Sequence, residues 1–398
     1  MRPNIEVSAA AFARPVDTVR TSDESVPAVI RKLRAMSVRG LARMYSRRDR
    51  QFVFRLRRTD TNVVQEGLSP RYTAITLIGM ADLPERSVAH ILGSHSAHDV
   101  CARIVEEASV TANLGDAALT LWAAGRQGFE GFGPIAVHLP ALKPLETAHP
   151  TVEMAWLLSA LSDVPSANRE RLRERVADRL MAAWNPTSKL FPHIIDGSGG
   201  GRAHVSCFAD LIYPIQALAK FASVSGNQRA LDIASAAGTR LCELQGDAGQ
   251  WWWHYDYRTG RVIEGYPVYA IHQDAMGPMG LFALRAAGGP DCRAAIMSGM
   301  DWLVSAPELN GASLIDDQVD LIWRKVARRE PNKAVRYLQA TASRVHPSGR
   351  VPAVDLVFPP RAIDFEDRPY HLGWLLYAWN SEHAAAQRMS VPGQERRR

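Results

Sequence analysis

The sequence predicts an all-α protein whose helical hairpins close into a ring of inner and outer helices. Apolar residues recur at three-to-four spacing in most windows after residue 70, which is the period of a helix. The alternation typical of strands is confined to short pieces. Helices that are apolar all round alternate with amphipathic ones at spacings of about 45–62 residues, as in quasi-repeats of helical hairpins.

The composition is that of a soluble globular protein, with 398 residues, 46% hydrophobic and 22% charged. No run of 18 apolar residues is present, and the N-terminus lacks the apolar core of a secretory signal. We therefore expect a cytoplasmic protein. Its four cysteines lie far apart and form no CxxC, which argues against a disulfide framework and a cysteine zinc site.

The positive charge is concentrated at the N-terminus. The first 60 residues hold 14 Lys/Arg against 6 Asp/Glu, whereas the remainder holds 33 against 35. Residues 31–58 mix arginine with apolar residues, which is typical of a basic helix at an anionic membrane surface or on nucleic acid. We favour a helix that packs its apolar side on the main domain while its charged heads stay in water. Membrane contact stays open, and no nucleic-acid partner is predicted.

The domain division follows from the same pattern. We predict a basic, partly disordered extension over 1–60, a ring domain over 61–390, and a disordered basic tail over 391–398. The predicted helices are 72–82, 84–92, 97–110, 113–126, 150–162, 168–185, 206–223, 227–245, 268–287, 290–305, 313–329, 331–343 and 370–387. Strands are predicted only as short pieces, such as 261–263 and 351–357, and turns with Gly or Pro separate many of the helices.

Two kinds of helix are distinguishable. Segments 168–185 and 331–343 carry charged stripes and are predicted to face water, whereas a helix that is apolar all round is buried. The segments that are apolar all round begin at Tyr72, Asp116, Val152, Phe208, Tyr269 and Tyr370. In the C-terminal two thirds, buried helices are predicted to start near 150, 206, 268, 313 and 370.

This order of helices resembles the α/α toroid. The fold is shared by six-hairpin glycosidases, sugar 2-epimerases and several polysaccharide lyases, and also by terpenoid cyclases and protein prenyltransferase β subunits. The resemblance covers residues 70–387 and rests on architecture. The segments Trp251–Leu281 and Ile363–Trp379 also resemble bacterial proteins linked to polysaccharide gene clusters.

In such a ring, the loops that lead into the inner helices line one mouth of the central cavity. Here a carboxylate, often with His or Arg nearby, stands at the start of each of four predicted inner helices. Convergent carboxylates, imidazoles and aromatic rings are typical of a ligand pocket. The alternative for any single residue is a helix cap. The predicted binding residues are His193, Asp210, Tyr213, Trp251, Trp253, His254, Asp256, Tyr266, Tyr269, Arg368 and Tyr370.

The run of three tryptophans at 251–253 is the sharpest local feature. If the stretch alternates, Trp251 and Trp253 share one face, and their rings suit the apolar face of a sugar. The alternative is that two of the three fill space beneath the loop. The following YDYRTGR is predicted to form a tight hairpin with Gly260 at its turn.

His272 and Asp274 are the first choice for chemistry. Because residues two apart do not share a helix face, one is predicted to be catalytic and the other structural. Pro278 has no N–H for the Asp274 carbonyl, so a kink is predicted there, and the freed carbonyl is available to a cavity. The alternative for His272 is a buried histidine with satisfied hydrogen bonds.

The DDQVD sequence at 316–320 matches the DDxxD pattern that holds Mg²⁺ against a diphosphate in prenyl-diphosphate enzymes. No second metal motif follows it, and acidic residues also favour a helix start by themselves. No phosphate loop, HExxH or G-x-S-x-G motif is present. We predict no cofactor and no metal.

The sequence therefore predicts an enzyme that acts on an oligo- or polysaccharide through acid/base chemistry. Glycoside hydrolysis would pair Asp274 or Glu264 with Asp316, Asp317 or Glu366. His272 and His371 keep open a lyase or epimerase. In each case Arg368 would grip an acidic sugar. Two alternatives remain, namely an isoprenoid cyclase or transferase and a non-catalytic toroid that binds glycan or protein. The oligomeric state is not predicted.

Overall fold

The computed structural model describes residues 26–164, 169–328, 338, 340–342, 344 and 357–380. The α-helices of this part of the chain are α1 Val26–Met44, α2 Pro70–Met80, α3 Glu85–Leu92, α4 Ala97–Ala108, α5 Leu114–Arg126, α6 Gly133–His138, α7 Thr151–Asp163, α8 Glu170–Ala183, α9 Phe208–Ser225, α10 Gln228–Glu243, α11 Gly277–Ala286, α12 Arg293–Ser305 and α13 Pro369–Ala378.

The strands are short. They are β1 Tyr45–Ser46, β2 Gln51–Arg58, β3 Val63–Leu68, β4 Val205–Cys207, β5 His254–Asp256, β6 Arg261–Glu264, β7 Val268–Tyr269, β8 Ile315–Asp316, β9 Leu321–Ile322, β10 Lys325–Ala327, β11 Ala362–Asp364 and β12 Glu366–Asp367.

The helices are arranged as an α/α toroid. Helices α2, α5, α7, α9, α11 and α13 form a closed inner ring in which each packs on the next and α13 packs on α2. Helices α1, α4, α8 and α10 cover the ring from outside, and α12 covers the turn that leads into α11. The structure thus confirms the predicted all-α ring. In this arrangement α13 faces α7 across the ring.

The inner helices are those whose sequences are apolar all round. The six segments distinguished by this property each contribute one inner helix, because a helix buried on every side has no face for charge. Helices α2 and α13 cross at backbone contact. A Cβ built on Gly79 would lie 1.9 Å from the Gly373 carbonyl oxygen, so only glycine fits there.

Aromatic side chains fill the interior of the ring. The Trp122 and Trp374 ring centroids lie 5.5 Å apart, those of Trp156 and Tyr213 lie 5.3 Å apart, and those of Tyr213 and Trp374 lie 5.9 Å apart. Interiors packed in this way leave little room for a ligand. A substrate site therefore has to lie at one end of the ring.

A buried lysine occupies the end of the ring where the inner helices finish. Lys220 of α9 donates to Asp163 at the end of α7 and to the Tyr377 hydroxyl of α13, and its ammonium lies 4.7 Å from the Trp122 ring centroid. Burial alone would lower the pKa of Lys220, but Tyr377 and Asp163 raise it above its ordinary value. The polar groups at this end are thus bound to one another, and the opposite end holds the candidate site.

Small sheets tie together the loops that lead into neighbouring inner helices. Strands β4, β5 and β6 join the loops before α9 and α11, and the β5–β6 pair confirms the hairpin predicted after the tryptophans. Strands β7, β10 and β11 join the loops before α11 and α13. The site end of the ring is thus held by backbone pairing as well as by helix packing.

The basic N-terminal segment is part of this fold from Val26 onward. Its helix ends at Met44, and residues 51–58 form a strand that pairs with both β3 and β12, so a boundary at residue 60 falls between two paired strands. Helix α1 buries Leu33 and Met36 completely or nearly so. The packing that we favoured for 31–58 is therefore seen, although half of that segment is a hairpin and not a helix. None of the described helices is long and apolar enough to cross a membrane.

The helix predicted over 313–329 is wrong. The segment forms β8, β9 and β10, in which Leu321 and Ile322 are fully buried and Val326 pairs with Val268 and Ile363. Pairing with strands from distant parts of the chain overrides the local helical period. The helix predicted over 331–343 and the strand predicted over 351–357 fall almost wholly outside the described residues, as does the end of 370–387.

Candidate active site

The third residue of five inner helices is a polar or aromatic side chain at the same end of the ring. Helix starts favour acceptors and negative charge, because their first N–H groups have no partner within the helix. Three of the five are accordingly acidic. The five residues are Tyr72, Asp116, Glu153, Asp210 and His371.

An arginine joins the acidic residues of α5 and α7. The Arg71 guanidinium donates to Asp116 at 2.6 Å and to Asn113 at 2.8 Å, and Asn113 donates in turn to Glu153 at 3.0 Å. The same guanidinium lies 5.6 Å from the Trp156 ring centroid. The sequence analysis did not select these residues, although the acidic third position was visible once the helix starts were known.

His193 and Asp210 form a pair beside them. The His193 Nδ1 lies 3.0 Å from a carboxylate oxygen of Asp210, which is completely buried and also accepts the Cys207 N–H. The hydrogen bond and charge of Asp210 raise the pKa of His193 above its ordinary value. Both residues were predicted, and the structure brings them together.

Three guanidinium groups surround Glu366 on the other side of the mouth. Arg55 donates to it at 2.6 Å, Arg368 donates at 2.8 and 3.0 Å, and Arg324 makes a further short contact. Burial alone would raise the pKa of Glu366, but the three cations hold it below its ordinary value. Glu366, predicted as catalytic, is thus an ionised group that positions arginines and is unsuited to donate a proton.

Tyrosine rings lie against these arginines. Tyr72 stacks on Tyr370 with a centroid distance of 4.6 Å and accepts a hydrogen bond from Arg368 at 2.9 Å. The Arg324 guanidinium lies 5.1 Å from the Tyr269 ring centroid. The predicted residues Arg368, Tyr370 and Tyr269 therefore lie in one region. Arg324 and Tyr72 lie there too, although the sequence analysis did not select them.

Asp274 and His371 form a buried ion pair between α11 and α13. The His371 Nε2 lies 2.8 Å from Asp274, and its Nδ1 lies 3.7 Å from Asp367, which the sequence analysis did not select. Burial opposes the charge on His371, but the two carboxylates raise its pKa to about 10. Asp274 and Asp367 are completely buried. The pair joins two inner helices, and neither group faces solvent.

The kink predicted at Pro278 takes the form of a π-helical turn just before α11. His272–Met276 form this turn, and the Asp274 carbonyl accepts the Trp379 indole N–H at 2.6 Å and does not face a cavity. His272 stacks on Phe208 at a centroid distance of 4.3 Å, and burial lowers its pKa to about 3. His272 is therefore neutral at physiological pH.

Raising the pH from about 6.5 towards 10 is expected to lower the free energy of unfolding progressively. The His371 pKa is about 10 in the folded protein against an ordinary 6.5, so the folded state binds more protons in this window. The stabilisation is complete below pH 6.5 and is lost as the pH rises through 10. Urea unfolding at a series of pH values measures it, and His371→Gln should flatten the curve. Parallel losses in both proteins would contradict the assignment.

Trp251 and Trp253 do not share one face, as strand alternation would have required. Trp251 is completely buried, 5.8 Å from the Phe208 ring centroid, and belongs to the core. Trp253 is half-buried, stacks on His254 at 4.1 Å and meets Tyr269 edge-on at 5.2 Å. Strand β5 begins only at His254, so strand alternation does not apply to the tryptophans.

Four other predicted residues make interactions within the fold. Glu264 forms a buried ion pair with Arg328, Asp256 accepts from Arg258 within its own hairpin, and the Tyr266 hydroxyl donates to Glu308. Tyr213 lies in the aromatic interior described above. Each of these side chains therefore has a partner within the fold, and the catalytic role of Glu264 and the substrate contacts of Asp256 and Tyr266 remain predictions.

The DDxxD residues lie on a turn that packs against the N-terminal segment. Each has a cationic partner, namely Lys32 for Asp317, Arg58 for Asp316 and Arg39 for Asp320. Asp316 also accepts the Trp323 indole N–H. These carboxylates thus form ion pairs with α1 and β2, and the catalytic role of Asp316 and Asp317 remains a prediction. The described residues include no group of three His, Cys, Asp or Glu side chains suited to hold a metal.

Known structures share this fold. An unsaturated glucuronyl hydrolase specific for heparin aligns with a TM-score of 0.56 and 10% identity over 94% of this chain and 100% of its own. A possible member of the GH105 family from Salmonella enterica serovar Paratyphi A gives 0.54 and 12% over 97% and 100%. A structure of UGL with dGlcA-Glc-Rha-Glc gives 0.52 and 12% over 88% and 94%. No family model and no curated protein matches the sequence.

Proposed function

We propose that this toroid is a carbohydrate-active hydrolase whose substrate is an oligosaccharide that carries a uronic acid. The observation that carries the proposal is the division of the mouth into two unlike halves. Around Glu366, Asp364 and Glu66, cations exceed carboxylates by two, and the group consists of Arg55, Arg57, Arg324, Lys325, Arg368, Glu66, Asp364 and Glu366. A sugar carboxylate offers the compensating charge and suits the planar guanidinium groups.

The half of the mouth that faces these arginines is acidic. Asp116, Glu153 and Asp210 begin consecutive inner helices, and His193 stands with them. A uronic acid bound with its carboxylate at the arginines would direct its glycosidic bond to this half. Glycoside hydrolysis needs a proton donor and a base near that bond.

The aromatic rings beside the arginines suit a pyranose. Tyr72, Tyr269, Tyr370 and Trp253 offer flat apolar surfaces with polar edges, which is the pattern that sugar rings require. The names of the structures that share the fold, an unsaturated glucuronyl hydrolase among them, support the same substrate class.

Hydrolysis is preferred to a lyase reaction that uses a tyrosine base. Burial raises the pKa of Tyr370 despite the neighbouring Arg324 and Arg368, so its phenol stays protonated at neutral pH. A phenol in that state does not remove a proton from the carbon beside a sugar carboxylate. A non-catalytic glycan-binding toroid would bind uronides without turning them over.

Arg324→Gln is expected to weaken the binding of uronic-acid oligosaccharides roughly 10–100-fold, the effect of losing one charge-assisted hydrogen bond. Neutral glucosides should bind it as they bind the wild type. The measurement is turnover and calorimetric binding over saturated and unsaturated uronides, with the α1 variant Arg39→Gln as the matched control. Failure of the wild type to bind any uronide would overturn the proposal, and binding without turnover would favour the non-catalytic toroid.

A further inference from the structure

We infer that His193, oriented by Asp210, is the catalytic acid that donates a proton to the glycosidic oxygen. The inference rests on the proposed function and deepens it by naming the residue that performs the proton transfer. It depends on the position of the His193 imidazole, on the charges that face it, and on the burial and pairing of other acids in the mouth.

The position of His193 is fixed from two sides. Its carbonyl accepts the Thr151 N–H at the first residue of α7, and its Nδ1 lies 3.0 Å from Asp210 at the third residue of α9. An ionised carboxylate accepts only, so Nδ1 carries the proton that bonds to Asp210. The Nε2 edge is then directed away from Asp210, and 54% of the side chain is exposed. A substrate at the mouth therefore has access to Nε2.

The charges around the imidazole favour its protonated form. Asp210 raises the pKa through its hydrogen bond and then through its charge, and Glu153 of α7 raises it further. Burial and Arg202 act in the opposite direction but do not prevail. The protonated form, which is the form that a general acid requires, is therefore more stable in His193 than in an ordinary histidine.

Glu366, Asp116 and His371 do not combine exposure to the substrate with a transferable proton. Glu366 is surrounded by three arginines, and Asp116 is bonded to Arg71. The imidazolium of His371 is buried against Asp274. A buried carboxylate that holds an exposed histidine is also the arrangement that orients the imidazole in hydrolytic triads.

The proton transfers balance with water as the only co-reactant. The imidazolium gives its Nε2 proton to the glycosidic oxygen as the bond from the anomeric carbon to that oxygen breaks. The sugar that keeps the glycosidic oxygen leaves as an alcohol. Water supplies hydroxide to the anomeric carbon, and Glu153 accepts the remaining water proton. That proton then passes through solvent to His193, which restores both residues.

The test compares His193→Gln, Asp210→Asn and wild type on the uronide that the wild type hydrolyses best. His193→Gln should lower kcat about 100–10,000-fold, the usual contribution of general acid catalysis, with KM little changed. Asp210→Asn keeps an acceptor at the helix start but removes the charge, so the alkaline limb of its kcat profile should move to lower pH. His149→Gln, whose half-buried ring contacts Thr147, is the matched control and should leave kcat unchanged.

Two results would overturn the inference in distinguishable ways. Wild-type turnover with an unchanged kcat and pH profile in both variants would leave the proposed function standing and remove His193 from it. Absence of wild-type turnover on every uronide would remove the proposed function, and the inference with it. Circular dichroism of each variant separates loss of catalysis from loss of fold.

Discussion

Asp274→Asn is expected to lower the free energy of unfolding by about 3–5 kcal/mol, the cost of breaking a buried ion pair by removing one partner. The variant leaves the His371 imidazolium without its closest counter-ion in a place that water does not reach. The histidine must then lose its proton or remain charged with only Asp367, 3.7 Å away. Urea unfolding at pH 7 measures the loss.

Asp317→Asn is the matched control for this change. It removes the same charge from a side chain that is 62% exposed and paired with Lys32 at the surface. Its effect should stay within about 0.5 kcal/mol, because exposed ion pairs contribute little. Equal stability of the two variants would show that the Asp274–His371 pair does not hold α11 to α13. A folded Asp274→Asn variant with normal stability and no turnover would return Asp274 to the catalytic role that its sequence position suggested.

Trp251→Ala is expected to cost about 3–5 kcal/mol, as for other large aromatic residues removed from a core. The indole is completely buried against Phe208, and a Cβ built on Gly277 would lie 2.4 Å from it. Surroundings packed this closely can collapse only partly into the space that the ring leaves. Denaturant unfolding measures the change.

The neighbouring Trp253→Ala separates packing from ligand contact. Its ring is half-buried and lies against His254 and Tyr269, so its loss should cost less than about 2 kcal/mol of stability. Binding of a uronide should instead weaken by about 1–3 kcal/mol if the ring stacks on the sugar. Similar stability losses in both variants, with unaltered binding by Trp253→Ala, would place both rings in the core.

The inner ring is determined by the sequence itself. Helices such as α9 and α13 are apolar on every side, and a helix of this kind is stable only where it is buried. Candidate residues that follow helix starts were also found, because Asp210 and His371 stand at the first turns of two of these helices. The hairpin that turns at Gly260 was visible because its turn chemistry is local.

Pairings over long sequence separations were decided by the tertiary structure alone. The segment that begins at Asp316 has a local acidic helix-start pattern, yet pairing with β7 and β11 makes its end a strand, and its carboxylates pair with α1 and β2. The roles of Glu366 and Glu264 depend on arginines elsewhere in the chain. Charge and burial at a residue are set by neighbours in space, whereas periodicity and turn chemistry are set by neighbours in sequence. The ring could therefore be predicted from the chain, but the division of its mouth into a cationic and an acidic half could not.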